Sequence, residues 1–241
     1  MKRIFITGAN RGLGLEFTRQ LLARGERVFA GARRPEQAEA LQQLAAAHPD
    51  RLTILPLDVT EQASLDAARD AVAERAEALD WLINNAGIIR VGAGSFDRGT
   101  DVPLGELQAA DLRRVFEINS VAPLLAAQTL LPLLRNSAAP LIANLSSWVG
   151  SIADKAMPGY YAYCASKAAL NMFTRLLHLD LHSQGFRVVS LHPGWVRTEM
   201  GGARAPVATP DAVRGLLQVL DRLTPEQSGR FWDQLGAERN W

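Results

Sequence analysis

The sequence predicts a doubly wound α/β domain, a central parallel sheet flanked by helices on both faces. Short apolar, β-rich runs alternate with longer stretches of helical periodicity from end to end, the trace that parallel strands with crossover helices leave in a chain. The runs are apolar at successive positions, as in Ile4-Phe5-Ile6 and Trp81-Leu82-Ile83, which is what strands buried on both faces need. The 241 residues, 48% hydrophobic and 21% charged, suffice for one substantial core, so 1–241 is expected to form a single domain.

Strands are expected at 4–7, 28–32, 53–57, 81–84, 141–145 and 188–191, where the β-rich apolar runs stand. Helices are expected at 12–24, 37–48, 61–77, 110–135 and 161–183, where leucines and alanines recur at helical spacing. The glycine-rich stretches 91–105 and 200–210 read as loops. The longest charge-free run, 118–134, is interrupted by Asn119, Pro123, Gln128 and Pro132. It is too short for a membrane span and is read as a buried helix. With 26 basic against 25 acidic side chains and a net charge of +1, neither nucleic acid nor membrane is expected as a partner. A single cysteine excludes an internal disulfide and a cysteine-rich zinc site. The chain runs from Met1-Lys2-Arg3 straight into its first strand without the apolar stretch of a secretory leader, so a cytoplasmic setting is expected.

Two motifs carry chemistry. Thr7-Gly8-Ala9-Asn10-Arg11-Gly12-Leu13-Gly14 follows the first strand and opens the first helix. Glycines there permit a tight turn and a close approach of backbone to pyrophosphate, and the helix N-terminus adds free N–H groups and a favourable dipole. The gap from Gly8 to Gly12 is wider than in the common dinucleotide fingerprint, and the placement between strand and helix is what points to a nucleotide rather than a plain turn. The second motif is Tyr163-Cys164-Ala165-Ser166-Lys167 in an expected helix. Residues four apart share a helix face. The Lys167 ammonium would therefore lower a phenol pKa that starts near 10 and make Tyr163 a general acid near neutral pH. All 3 tyrosines, Tyr160, Tyr161 and Tyr163, fall here, and of these Tyr163 has the lysine four residues on. The bland alternative is a surface pair of no consequence.

Together with Asn84-Asn85-Ala86-Gly87, Ser146-Ser147 and Pro193-Gly194, these motifs resemble the short-chain dehydrogenase/reductase family, in its order and over essentially the whole chain. Residues 145–202 and the end from Gly229 to Trp241 further resemble its C-factor-like and carbonyl-reductase-like subgroup. The resemblance implies a Rossmann-type domain and hydride transfer between a nicotinamide and an aldehyde or ketone. It makes Tyr163 the proton donor, Lys167 the group that lowers its pKa and binds the nicotinamide ribose, Ser147 the holder of the oxyanion, and Asn119 a fourth catalytic residue. Ser147 matches the family's serine, and Ser146 is read as a strand-end residue. The family's commonest spacing would land on Tyr160. Tyr163 is preferred because a loop insertion is tolerated whereas a helical Tyr–Lys register is not. Pro123 lacks an N–H, so the Asn119 carbonyl loses its helical donor and the helix should kink there. That carbonyl needs another donor, most simply a water, and in the resembled family such a water links this asparagine to the lysine.

The resemblance also places Gly8, Asn10, Arg11, Gly12, Leu13 and Gly14 in the cofactor-binding loop. It puts Asn85, Ala86 and Gly87 along the adenosine ribose and Asp58 and Val59 at the adenine, although Asp58 serves equally well as a helix cap. Pro193, Gly194, Val196 and Thr198 fall on the nicotinamide side, with the Val196 backbone at the carboxamide. The second strand ends Ala30-Gly31-Ala32-Arg33-Arg34, with no carboxylate until Glu36, where an NAD-selective site carries an acid for the ribose hydroxyl. Arg11 and Arg33 describe a 2′-phosphate pocket instead, and the expected cofactor is NADP(H).

His178 and His182 stand four apart without a third ligand candidate nearby in sequence, so no metal is expected. Trp148, Trp195, Met157, Met200, Tyr160 and Tyr161 are expected to border a cleft for an uncharged, apolar or aromatic carbonyl compound. A loop at about 194–210 would partly cover it, and no basic residue beyond Arg197 and Arg204 suggests an anion clamp. The apolar helices 110–135 and 161–183 and the resemblance together imply a homodimer or homotetramer. A reading of a different class, a C-factor-like signalling or nucleotide-binding module, would leave the set Ser147, Tyr163, Lys167 and Asn119 without use.

Overall fold

The computed structural model describes residues 1–92 and 102–241, so most of the expected 91–105 loop lies outside the described residues. The strands are β1 (Arg3–Thr7), β2 (Arg27–Ala32), β3 (Leu52–Pro56), β4 (Trp81–Asn84), β5 (Leu141–Leu145), β6 (Arg187–His192), β7 (Phe231–Asp233) and β8 (Glu238–Arg239). They form one sheet in the order β3-β2-β1-β4-β5-β6-β7-β8, parallel throughout except for the antiparallel β7–β8 pair. The order reverses between β1 and β4, which places the crevice for a ligand at the carboxyl ends of those strands. The helices are α1 (Gly12–Ala23), α2 (Glu39–Ala47), α3 (Gln62–Ala73), α4 (Ala109–Phe116), α5 (Ala122–Arg135), α6 (Tyr161–Leu181) and α7 (Thr209–Arg222).

Alternation along a strand distributes side chains between two cores. Ile4 and Ile6 of β1 join Phe17, Leu21 and Leu22 of α1 and Val213, Leu216 and Leu217 of α7 on one face. Phe5 points the other way, into Leu65 and Val72 of α3 and Ala126 and Leu130 of α5. The sheet is therefore covered on both sides, as the unbroken apolar runs require.

The three last elements, α7, β7 and β8, have no counterpart among the expected ones. β7 and β8 have three and two residues, too short to show a period. In α7 the buried positions Ala212, Val213, Leu216, Leu217 and Leu220 do follow a helical period, and Thr209-Pro210-Asp211 is a ready start signal. The helix begins inside the stretch expected to be loop.

The kink expected at Pro123 takes the form of a π-helical turn, Glu117–Val121, between α4 and α5. The Ala122 amide reaches back to the Glu117 carbonyl, one residue further than in an α-helix. The whole rod Ala109–Arg135 is long and apolar enough to cross a membrane, yet 61% of its apolar window is buried inside the fold, as a core helix requires.

A buried polar row fixes α6 on the sheet. Asn84, Asn144 and Ser190 sit opposite one another on β4, β5 and β6. Asn84 Nδ2 donates to Asn144 Oδ1 at 2.8 Å, and Asn144 Nδ2 and Ser190 Oγ each donate to Thr174 Oγ1 of α6 at 2.9 Å. Buried bonds of this kind are costly to leave half-made, so the register of α6 against β5 is tightly defined.

Candidate active site

The β1–α1 turn is built from backbone. Gly8 has φ +66°, and a Cβ there would come within 2.9 Å of Ala86 Cα, while a Cβ on Gly14 would meet the Gly8 carbonyl oxygen at 2.2 Å. Neither position tolerates a side chain. The Thr7 hydroxyl accepts the amides of Asn85 and Ala86, both at 3.0 Å, and Asn85 Nδ2 donates to the carbonyls of Thr7 and Gly8. The Asn84-to-Gly87 segment thus braces the glycine turn. No side chain caps the first turn of α1, so its N–H groups face the crevice ready for an anion. These residues fit a dinucleotide.

Arg33 and Arg34 are exposed just past β2. Asp58 forms a local turn, with its Oδ1 accepting the Thr60 amide at 3.0 Å and hydroxyl at 2.8 Å. The N-cap of α3 is Glu61, without a side-chain bond, so Asp58 is not the helix cap. Burial works to raise the Asp58 carboxyl, but the two Thr60 bonds and the nearby Arg33 and Arg114 hold it below its ordinary value. Arg33 therefore stands near enough to Asp58 for its charge to be felt there. Arg11 is exposed and ion-paired with Glu199, across the crevice from its own loop. Thr198 lies over the same turn, its Cγ2 within 3.6 Å of where a Gly12 Cβ would stand.

The catalytic candidates converge on α6. Tyr163 is buried and hydrogen-bonded to Ser147. Tyr161 opens the helix and is exposed. Tyr160 precedes it in the left-handed conformation, φ 54°, which costs a non-glycine residue about 1–2 kcal/mol. Lys167 is buried, its Nζ 5.8 Å from the Tyr163 ring centroid and donating to the Leu145 carbonyl at 2.7 Å. Asn119 Nδ2 donates to the Ile88 carbonyl at 2.8 Å and to Ser166 Oγ at 3.0 Å, and its Oδ1 accepts the Ile88 amide. A Cβ on Gly87 would lie 3.3 Å from Asn119 Oδ1 and 3.6 Å from Lys167 Nζ, so these three positions meet at one point.

The surroundings of the phenol run against the expected lowering. Burial pushes the Tyr163 hydroxyl well above its ordinary value, with the Ser147 bond pulling the other way. Burial also brings the Lys167 ammonium down to about 8. The direction of the Tyr163 shift favours the neutral phenol.

A cleft of about 220 Å³ opens beside Tyr163, lined among others by Tyr160, Tyr161, Ile89, Leu112, Gln108 and Arg90. Of the expected wall residues, Tyr160 and Tyr161 line this cleft, and Trp148, Trp195, Met157 and Met200 do not. Trp195 does not line it; its Nε1 donates to the Gly201 carbonyl at 2.7 Å and braces the loop that follows β6. Arg90, from the turn after β4, does line it. Trp148 and Met200 pack with Tyr160 around the small cluster of Ile89, Val149 and Tyr163, while Met157 is exposed. Pro193 and Gly194 enter the β6 loop, Gly194 with φ +84°, and the loop holds itself through bonds between Arg197 and Val207 and between Val207 and Trp195. His178 Nδ1 is taken up by Ser228 Oγ and His182 Nδ1 by helix carbonyls. Sequence reasoning did not single out Thr7, Ser166 or the Leu145 carbonyl, whose roles arise from contacts between distant segments.

The family model for short chain dehydrogenases matches residues 2–207. C-signal from Myxococcus xanthus is 46% identical over 163 residues, covering 68% of this chain and 93% of that protein. An NADPH-bound carbonyl reductase from chicken fatty liver superposes with a TM-score of 0.90 at 39% identity, over 100% of this chain and 99% of that one. The carbonyl reductase Sniffer of D. melanogaster gives a TM-score of 0.91 at 34% identity, with both chains fully covered.

Proposed function

The chain belongs to the short-chain dehydrogenase/reductase family of oxidoreductases, and from that premise we propose that it is an NADP(H)-dependent carbonyl reductase. The observation that carries this reading is the buried Tyr163 phenol bonded to Ser147 with Lys167 beneath it, next to a cleft, with Lys167 Nζ close to the Gly87 end of the segment that braces the glycine turn. The nicotinamide, when bound, supplies or accepts the hydride at the carbonyl carbon. Ser147 holds the carbonyl oxygen as charge develops on it. Tyr163, kept protonated by burial, gives that oxygen its proton. Lys167, charged below about pH 8, stabilises the phenolate left behind and stands where the nicotinamide ribose would lie. Asn119 clamps the turn after β4 to α6, which fixes Lys167 relative to the cofactor side, and its π-turn carbonyl is the natural anchor for a water that returns the proton.

Arg33, and Arg11 once released from Glu199, supply forks for a 2′-phosphate where an NAD site would carry a carboxylate. Asn10 and Leu13 complete the turn, and Pro193, Gly194, Val196 and Thr198 the nicotinamide side. The substrate is a small aldehyde or ketone that is aromatic or apolar, since tyrosines, Ile89 and Leu112 form much of the wall. A cytoplasmic homodimer or homotetramer is part of the same reading: Tyr161, Met172, Leu176 and Leu179 are exposed along α6, and light scattering that finds a monomer at micromolar concentration rejects it. The decisive experiment is oxidation of NADPH and of NADH with a panel of aldehydes and ketones. Turnover with NADPH and apolar carbonyls supports the proposal, and preference for NADH or for small keto-acids overturns it. The likeness to C-signal favours one second reading, a signalling protein whose catalysis is secondary; Tyr163→Phe that keeps full signalling activity in a cell-based assay supports that one.

A further inference from the structure

The segment that leaves Ser147 is held from two directions by residues far away in sequence. The Trp148 amide, the first after Ser147, donates to His192 Nδ1 at 3.3 Å. His192 ends β6 beside β5 and sits opposite Asp233 of β7. One short turn then follows, with the Gly150 amide on the Ser147 carbonyl and the Ser151 amide on the Trp148 carbonyl, both at 2.9 Å. From there the end of the chain takes over. Ser151 Oγ donates to the Trp241 carbonyl at 3.1 Å and the Ala153 amide donates to the same oxygen at 3.2 Å. The Asp154 carboxylate accepts Asn240 Nδ2 at 2.9 Å and pairs with Arg239 at 3.4 Å. Trp241 itself stacks on Phe231 of β7, with ring centroids 5.8 Å apart and planes 16° apart.

We propose that His192 and residues 239–241 are positioning residues for Ser147, forming a brace that fixes the start of the 148–154 segment and hence the direction of the Ser147 hydroxyl. This deepens the reductase reading and rests on it, since the aim of Ser147 matters where a carbonyl oxygen is to be held. The contacts fall on one stretch, Trp148 to Asp154, rather than over a broad apolar face. They begin at the peptide bond that follows Ser147. An imidazole accepting an amide proton at Nδ1 must be the neutral Nε2–H tautomer. Burial and the neighbouring Arg239 keep it neutral by bringing His192 down to about 4, against a smaller opposite pull from Asp233. An acceptor so fixed holds the serine backbone without competing for the Ser147–Tyr163 bond. Misplacement of a catalytic group by about 1 Å costs up to a hundredfold in rate, so a brace of this kind belongs in the catalytic design.

The test compares His192→Leu, which removes the acceptor, with His192→Asn, whose Oδ1 replaces Nδ1, and Trp241→Ala with Trp241→Phe, which keeps the stack. Each is made in the wild-type and Ser147→Ala backgrounds of the full chain. His192→Leu and Trp241→Ala are expected to lower kcat about tenfold with KM for NADPH unchanged, to be rescued in His192→Asn and Trp241→Phe, and to cost nothing further in the Ser147→Ala background. Unchanged kcat, an equal further loss without Ser147, or a parallel rise in KM for NADPH overturns the proposal. Amide exchange across 148–154, read on the same proteins, should quicken in His192→Leu and not in His192→Asn. That readout needs no activity: if the wild type reduces no carbonyl, the reductase reading fails, while unaltered exchange sinks the brace itself. Where Ser147→Ala leaves no measurable rate, the exchange comparison decides.

Discussion

The two ends of the crevice are built by different means. At the nucleotide end, between β1, β2 and β4, the site consists of backbone and absent side chains. Gly8 and Gly14 are where no Cβ fits, α1 offers bare N–H groups, and the charged residues Arg11 and Arg33 stand exposed. At the catalytic end, between β5, β6 and α6, the site consists of buried polar side chains, Ser147, Tyr163, Lys167 and Asn119. A row of bonds from Asn84 to Thr174 sets the helix that carries Tyr163 and Lys167 against the sheet. On the proposed reading, a dinucleotide would be held by a glycine-built β1–α1 turn, and selectivity between its variants would be left to exposed arginines. Proton transfer needs groups with defined protonation states, and those require burial and fixed partners.

The sharpest way to break this contrast is to remove a buried group from the catalytic end. Lys167→Met should lower kcat by about a hundredfold or more. It should also abolish the alkaline limb expected of the wild type near pH 8, where the ammonium would lose its proton. Cofactor affinity that falls as much as kcat would show that Lys167 belongs to the nucleotide end. A smaller effect is expected from an exposed cation. Arg33→Ala should weaken NADPH by about tenfold, roughly 1.4 kcal/mol, and leave NADH unchanged; titration calorimetry with both cofactors checks it, and equal weakening would mark Arg33 as structural.

The third perturbation acts on stability rather than rate. His192 binds its proton at about 4 in the folded chain against an ordinary 6.5. Between those values the unfolded chain holds more protons, so stability falls as pH drops from 6.5 towards 4, by about 3 kcal/mol in all. Urea unfolding across that range should show the loss in the wild type and about none of that contribution in His192→Asn. Parallel curves for the two proteins would mean that His192 is not buried neutral.

The nucleotide end was legible because its signal is local. The Gly8-to-Gly14 spacing, the strand before it and the arginines after β2 lie within contiguous stretches, and the doubly wound sheet follows from unbroken apolar runs. The Tyr163–Lys167 register is equally local, four residues on one helix. What escaped lies in long-range contacts. The raised phenol follows from burial by segments that spacing does not reveal, and Arg90 reaches the cleft from a turn with no motif. Trp195 looked like a pocket wall until its indole bonded Gly201. The brace on Ser147 joins residues 90 positions apart. β7 and β8 were too short to announce themselves, whereas the apolar positions of α7 were there to be read.

The choice among three adjacent tyrosines bears most directly on the catalytic end. Family spacing favours Tyr160, which stands outside the helix with a left-handed backbone, and the lysine register favours Tyr163, buried against Ser147. Steady-state NADPH oxidation with an aromatic aldehyde, on Tyr163→Phe and Tyr160→Phe side by side, separates them. Tyr163→Phe should lose at least about a hundredfold in kcat while binding NADPH as the wild type does, and Tyr160→Phe should keep most of its activity. Loss confined to Tyr160→Phe, or equal loss in both, would contradict the assignment of Tyr163 as the proton donor.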